Sequence, residues 1–215
     1  MSSTDAPAAP AVDELRQGVL ARMQASLGDA LAGSHLIPGD DLWMRVRADA
    51  WVAAGEFVRD QLGCDYFCFL SAIDWMPSPY GKGEDDPTEP PPERSTETVP
   101  GYAGGDTRMQ VFARVYSTKQ RFGLTLKADV ADDAPHIASW TPVYAGANWH
   151  EREAWEMFGI TFDGHPNLTH IYLPGDFEGH PLRKDFPLLA RMVKPWPGIV
   201  DVEPMPGGEE TGEAE

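Results

Sequence analysis

Cysteine is nearly absent, with two in 215 residues. Cys64 and Cys68 are too few for a disulfide framework or for the four thiolates of an iron–sulfur cluster, and they suit a reducing compartment. Four positions apart in a predicted strand, they are separated by about 13 Å of backbone and cannot share one ion. Cationic residues are scarce too, 17 against 34 acidic ones, which excludes a nucleic-acid surface built on clustered Lys and Arg. No apolar run approaches the roughly 18 residues of a membrane span. The start, MSSTDAPAAPAVDEL, has no basic segment followed by an apolar one, so no secretory signal is expected. Three nucleotide and hydrolase signatures are missing: GxxxxGK[ST], GxGxxG and GxSxG.

What is present is uneven. After a leader over 1–10, Val12, Leu15, Val19, Met23, Leu27 and Leu31 follow helical spacing. Residues 42–48 alternate as a half-buried strand, and Asp49 is suited to cap a helix carrying Trp51, Ala54, Val58 and Leu62, ended by Gly63. CDYFCFLSAIDW is apolar on both faces and predicts a central strand. Residues 76–106 hold seven prolines, five glycines and seven acidic residues, which predicts an exposed insertion. TRMQVFARVYS and FGLTLKAD then alternate and predict an antiparallel hairpin. The order implies an α+β domain over 11–135, with helices packed on a small mixed or antiparallel sheet. Two helices are expected within 137–158, the second over about 146–158 with Gly159 as its stop. The turn-rich segment that follows has too little periodicity for a core of its own, so it must lie across something. An acidic, extended tail is expected over 189–215.

Several side chains invite a chemical reading. HEREA at 150–154 has the first half of a zinc-protease helix, but Ala154 stands where the second imidazole must be. On a helix, Arg152 has Glu156 one turn away as a partner, beside an apolar patch of Trp155 and Phe158. A short motif occurs twice: Asp163-Gly164-His165-Pro166 and Glu178-Gly179-His180-Pro181. Each proline holds the preceding histidine in extended backbone. His165, His170 and His180 are scattered candidate metal ligands, and Asp163 with Glu178 a candidate carboxylate pair. Neither set has the spacing of a catalytic constellation.

The stretches ANWHEREAWEMFGI, GHPNL and YLPGDFEGHPLRKDFPL, spanning 147–188, resemble the C-type (30-kDa-type) subunit of respiratory complex I. The matching positions are Trp149, Glu151, Arg152, Glu153, Phe158 and Gly159, then Gly164, His165 and Pro166. They continue through Glu178, Gly179, His180, Pro181, Leu182, Arg183, Lys184 and Asp185. His150 departs from the family, which often has tyrosine there. The resemblance implies an α+β domain followed, over 136–188, by a helix and an extended segment docked on a partner. It implies a cofactor-free structural subunit of the peripheral arm of a proton-translocating NADH–quinone oxidoreductase, without an active site of its own. FMN, iron–sulfur clusters and quinone are then expected in partner chains. Those partners are a separate, larger quinone-site subunit and neighbouring iron–sulfur subunits, in a hetero-oligomer on the cytoplasmic side of the plasma membrane. Membrane contact would come only through the complex. Related scaffold subunits occur in membrane-bound hydrogenases and other quinone-linked dehydrogenases, and an independent metal enzyme is the remaining alternative.

The physical expectation is that Pro181 and Pro187 stiffen the LRKD strip before docking. Arg183 is expected to bind a carboxylate, either Glu151 or Glu153 of this chain or one on the partner. Arg183→Ala is then expected to lower assembled complex and quinone reductase activity together.

Overall fold

Leu42, Met44 and Val46 occupy every second position, and a strand turns all three to one side. There they are buried with Leu124, Leu126 and Ala128 of the neighbouring strand. The computed structural model describes residues 13–79 and 96–187. The leader over 1–10, the middle of the acidic insertion and the tail over 189–215 lie outside the described residues.

In chain order the elements are α1 (Glu14–Leu27), β1 (Leu31–His35), β2 (Leu42–Val46), α2 (Trp51–Asp60) and β3 (Tyr66–Asp74). They continue with β4 (Met109–Ser117), β5 (Phe122–Asp129), β6 (His136–Ala138), α3 (Ala147–Phe158) and β7 (Thr161–Asp163). Five strands form one sheet in the order β1–β2–β5–β4–β3, parallel only between β2 and β5. β6 and β7 make a separate parallel pair. The fold is therefore α+β with a mixed sheet. The expected hairpin is β4–β5, in register from Ser117 opposite Phe122 to Gln110 opposite Asp129.

One apolar core joins the sheet to Val19 and Met23 of α1, Trp51, Ala54 and Val58 of α2, and Ala154 and Phe158 of α3. Trp51 and Trp140 stack at its centre with ring centroids 4.3 Å apart. Gly55 is small because a Cβ there would lie 2.7 Å from the Trp140 ring.

Five expectations are corrected. The first helix stops at Leu27, because Gly28 takes a positive φ and Leu31 begins β1 opposite Val46. Asp49 pairs with Arg47 instead of capping α2, which begins without a side-chain cap. The doubly apolar β3 is an edge strand: Leu70 and Ala72 pack in the core with α3, and the other face makes ring contacts such as Phe69 against Phe112. The alternating β5 is the central strand instead, buried from Phe122 to Ala128 on both faces. Lys127 persists there because its ammonium donates to Gln110. The first helix expected after 137 is a short strand and a single turn, in which Val143 N and Tyr144 N both donate to Trp140 O at 2.8 Å.

The acidic insertion also departs from a purely exposed loop. Its last residues lie over the sheet, where Tyr102 stacks on His35 at 4.3 Å and Ala103 receives a hydrogen bond from Arg45.

Candidate functional site

Helix α3 buries Ala147, Glu151, Ala154 and Phe158, spaced so that they share one face. Its terminus is set by Gly159 in the left-handed conformation, φ 73°. A helix ends with four carbonyls that lack helical partners. Here all four are met. Trp155 O accepts from Gly159 N, and Met157 O from Leu182 N at 3.1 Å. Glu156 O accepts from His180 Nδ1 at 2.9 Å, and Phe158 O from Arg183 Nε at 2.6 Å. The second GHP motif and its arginine thus close the end of α3, and the guanidinium brings positive charge to the helix's negative pole. A Cβ on Gly159 would lie 2.5 Å from both His180 Nε2 and Arg183 Nη2. Close approach and backbone conformation both require glycine there.

The first GHP motif has a related but lesser task. His165 donates through Nε2 to Asn148 O at 3.1 Å, while its Nδ1 accepts from Asn167 N at 3.0 Å. Gly164 and Gly179 both have positive φ, 83° and 94°, so each motif begins in a tight turn. The histidines serve as donors to backbone, not as ligands. Among the described residues no group of His, Cys, Asp and Glu could hold a metal ion. Asp163 meets His136 at 2.8 Å and Glu178 is exposed. Cys64 is buried, its thiol pushed up to about 12 by burial, and Cys68 accepts from Arg114. His150 holds α3 to β3 through Leu70 O at 3.1 Å and packs edge-on against Phe67.

Between the two motifs the chain wraps one carboxylate. Glu156, with a fully buried side chain, accepts from the backbone N–H of Ile171 at 3.0 Å, Tyr172 at 3.1 Å and Leu173 at 2.6 Å. The His170 ring adds a fourth donor at 3.0 Å. Burial alone would raise its pKa, but these donors together outweigh burial and hold it below the ordinary glutamate value. Arg152 reaches the same segment, donating to Thr169 O and His170 O at 2.9 and 3.1 Å. The expected Arg152–Glu156 pair does not form, because both side chains are committed to this segment instead.

Glu151 is also wholly buried, and neither of its hydrogen-bond partners among the described residues is a cation. It accepts from Ser139 Oγ and Trp140 N, both at 2.6 Å. Burial drives its pKa up to about 7, with the two donors opposing. Because the folded pKa is raised, Glu151's contribution to stability is complete below about pH 4.5 and is lost as pH rises through about 7. Glu151→Gln keeps an acceptor for Trp140 N and is expected to abolish this loss, worth about 3 kcal/mol. Urea midpoints of the two chains, compared between pH 4.5 and 8, check it.

The LRKD strip ends on an ion network. Asp74, at the end of β3, accepts from Arg108 Nε at 2.9 Å and Nη2 at 2.6 Å, and from Lys184 N at 2.8 Å. Arg108 also pairs with Asp185 at 2.9 Å. Arg183 meets neither Glu151 nor Glu153; its Nε donates to a carbonyl, and Glu153 accepts from the Tyr172 hydroxyl at 2.9 Å. Asp74 and Arg108 carry no local signature, since Asp74 meets a residue 110 positions away. Arg108→Ala is expected to remove roughly 2–3 kcal/mol and to expose the Arg183–Lys184 segment. Faster tryptic cleavage there, against an unchanged rate elsewhere, checks it.

Opposite its buried face α3 presents a different surface. Trp149 is 68% exposed, with the Arg152 guanidinium 5.9 Å from its ring. Tyr172 and Leu182, from the two segments packed on α3, are 62% and 49% exposed.

These elements lie within a match to a family described as respiratory-chain NADH dehydrogenase, 30 Kd subunit, over residues 44–192. The chain is 38% identical over 177 residues to the C-type subunit of the NADH-quinone oxidoreductase of Roseiflexus castenholzii, spanning 81% of this chain and 86% of that one. It is 45% identical over 91 residues to the C/D-type subunit of the Yersinia pestis NADH-quinone oxidoreductase, spanning 42% of this chain and 15% of that one. Among solved structures it resembles a chain of an archaeal membrane-bound sulfane sulfur reductase. The TM-score is 0.55 at 18% identity, over 82% of this chain and 88% of the other. A trypsin-resistant fragment of Nqo5 gives a TM-score of 0.50 at 19% identity, over 72% and 99%. At these identities the structural likeness is one of fold.

Proposed function

The chain belongs to the family of respiratory-chain NADH dehydrogenase 30-kDa subunits, and on that premise we propose that it is a scaffold in the peripheral arm of an NADH–quinone oxidoreductase. It works within a membrane-associated oxidoreductase complex, and no helix among the described residues is long and apolar enough to cross a membrane. Its contribution is to hold partner subunits in place without a redox step of its own. FMN, iron–sulfur clusters and quinone belong to those partners, on the cytoplasmic side of the membrane.

The observation that carries this reading is the contrast between the covered and the open parts of α3. Where it is covered, every terminal carbonyl and both buried glutamates are hydrogen-bonded, Glu151 against the core and Glu156 beneath the segment 170–173. Outward, Trp149 stands in water beside Arg152, and Tyr172 and Leu182 are exposed on the segments packed against the helix. Tryptophan, tyrosine and arginine are the residue types enriched where binding energy concentrates in protein interfaces. The partner proposed for this surface is the D-type subunit. In Yersinia pestis a matching segment is part of a single C/D chain, and covalent fusion suits two segments that work side by side. The motif residues from Trp149 to Asp185 therefore act in two ways: some shape the docking face from behind, and others are read by the partner.

Native purification through a tag on this chain tests the reading. A D-type subunit, iron–sulfur subunits and FMN are expected to come with it. Hydrogenase-type partners would change the electron donor while leaving the scaffold role intact. Recovery of the chain alone with stoichiometric zinc or iron would overturn that role.

A further inference from the structure

The outer face of the sheet, opposite in alternation to Leu42, Met44 and Val46, carries a cavity of about 280 Å³. Among the described residues its walls are Trp43, Ile73, Trp75, Tyr102 and Phe112, with Lys127 and Gln110 as its polar members. Tyr102 roofs one side, lying flat on His35 and edge-on to Trp43 at 5.7 Å. The turn that carries it includes Ala103 with φ 64°, a conformation rare outside glycine, so surrounding contacts hold the roof in this shape. Those contacts include Gln110 Nε2 to Gly104 O and Arg45 Nε to Ala103 O, both 3.2 Å.

Lys127, only 2% exposed, is the single ammonium among the described residues of the site. Its Nζ donates to Gln110 Oε1 at 3.1 Å and lies 5.7 Å from the centroid of the Trp75 ring. Gln110 has little left to offer. Its Oε1 also accepts from Trp75 Nε1 at 2.8 Å, and its Nε2 donates to Asp129 at 2.6 Å. The neighbouring cation, Arg45, is matched by Asp106 and Asp129. An ammonium has three donors, and this one has one hydrogen-bonding partner among the described residues.

We propose that this cavity binds a small aromatic carboxylate, its ring between Trp43, Trp75 and Phe112 and its carboxylate on Lys127 Nζ. The walls supply stacking surface, and the Lys127 ammonium selects a single negative charge. A cationic ligand would face Lys127 directly, and a polyanion would find no second unmatched cation among the described residues of the cavity. Burial lowers the Lys127 pKa to about 8, Arg45 adding to the effect and Asp129 opposing it. An arriving carboxylate would favour the charged ammonium that burial disfavours. The volume lies just below the roughly 300–1,000 Å³ typical of drug-sized ligands, which suits one or two fused rings. The site uses none of the residues assigned to docking, so its test is independent of that reading.

The experiment titrates 1-naphthoate and its methyl ester into the 215-residue chain, following heat and tryptophan fluorescence. The acid is expected to bind saturably and at least about tenfold tighter than the ester, equivalent to about 1.4 kcal/mol. Lys127→Met, which keeps the apolar length of the side chain, is expected to erase that difference. Absence of saturable acid binding at millimolar concentration would overturn the proposal. So would equal affinity of the native chain for acid and ester, or an unchanged preference in Lys127→Met. Should that variant fail to fold, the acid–ester comparison in the native chain decides by itself.

Discussion

Glu156→Ala is expected to destabilise the chain by about 3–5 kcal/mol, the range for removing one member of a buried, charge-assisted network. The reason is the number of groups that converge on one side chain. Three successive backbone N–H groups and the His170 ring donate to it. Deleting the carboxylate leaves those donors without their acceptor and releases the segment that carries Tyr172. Glu156→Gln keeps one acceptor oxygen but no charge, so an intermediate loss is expected. Urea denaturation gives the stability, and amide exchange at 171–173 gives its location. Acid should mimic the mutation. Because the folded pKa is depressed, the contribution is present above about pH 4.5 and is lost as pH falls through the lower folded value. This sign is opposite to that of Glu151, whose raised pKa makes it a burden at neutral pH. Two glutamates five positions apart on one helix thus respond oppositely to pH, one held by an array of donors and the other chiefly desolvated.

Trp149→Ala is expected to separate docking from folding. With 68% of the residue exposed in the isolated chain, truncation should change stability by no more than about 0.5 kcal/mol. In the assembled complex a tryptophan at the centre of an interface is worth about 2 kcal/mol or more. Affinity for the partner should therefore fall roughly thirtyfold or further. Thermal unfolding of the purified chain and pull-down of the D-type subunit provide the two readings. Equal losses in both would mean that Trp149 supports the fold, contrary to its exposure.

The strip that closes the end of α3 is legible in the sequence and the sheet much less so, for physical reasons. EGHPLRKD is a local motif in which glycine, histidine, proline and arginine sit at fixed spacing. Such a motif is legible because Gly179 must turn and His180 and Arg183 must reach the same helix end. Its target is less legible. Carboxylates attract attention as partners of arginine, yet the end of α3 offers carbonyls, and Arg183 takes Phe158 O. Strand order fails for another reason. Apolar content on both faces of β3 reports that both faces are covered, and α3 covers one of them as effectively as a neighbouring layer would. In β5, Thr125 and Lys127 read as solvent-facing, and only pairing with β2 on one side and β4 on the other makes the strand central, which local alternation does not report. Asp74 and Arg108 are invisible because their link to Lys184 and Asp185 exists only in three dimensions.

The two GHP motifs also change in meaning. As sequence they are two candidate ligands with two candidate carboxylates. In the fold each imidazole donates to a carbonyl of α3, one near each end of the helix. Together with Glu156 they tie the extended segment along the helix and leave Trp149, Tyr172 and Leu182 outward.

The central claim is that this chain assembles a respiratory oxidoreductase and does not perform its chemistry. The most direct measurement compares the amount of assembled complex with quinone reductase turnover per assembled complex, in membranes carrying Trp149→Ala or Arg183→Ala. The account predicts less complex with unchanged turnover in what remains. A full complement of complex with collapsed turnover would contradict it and return a catalytic role to these residues.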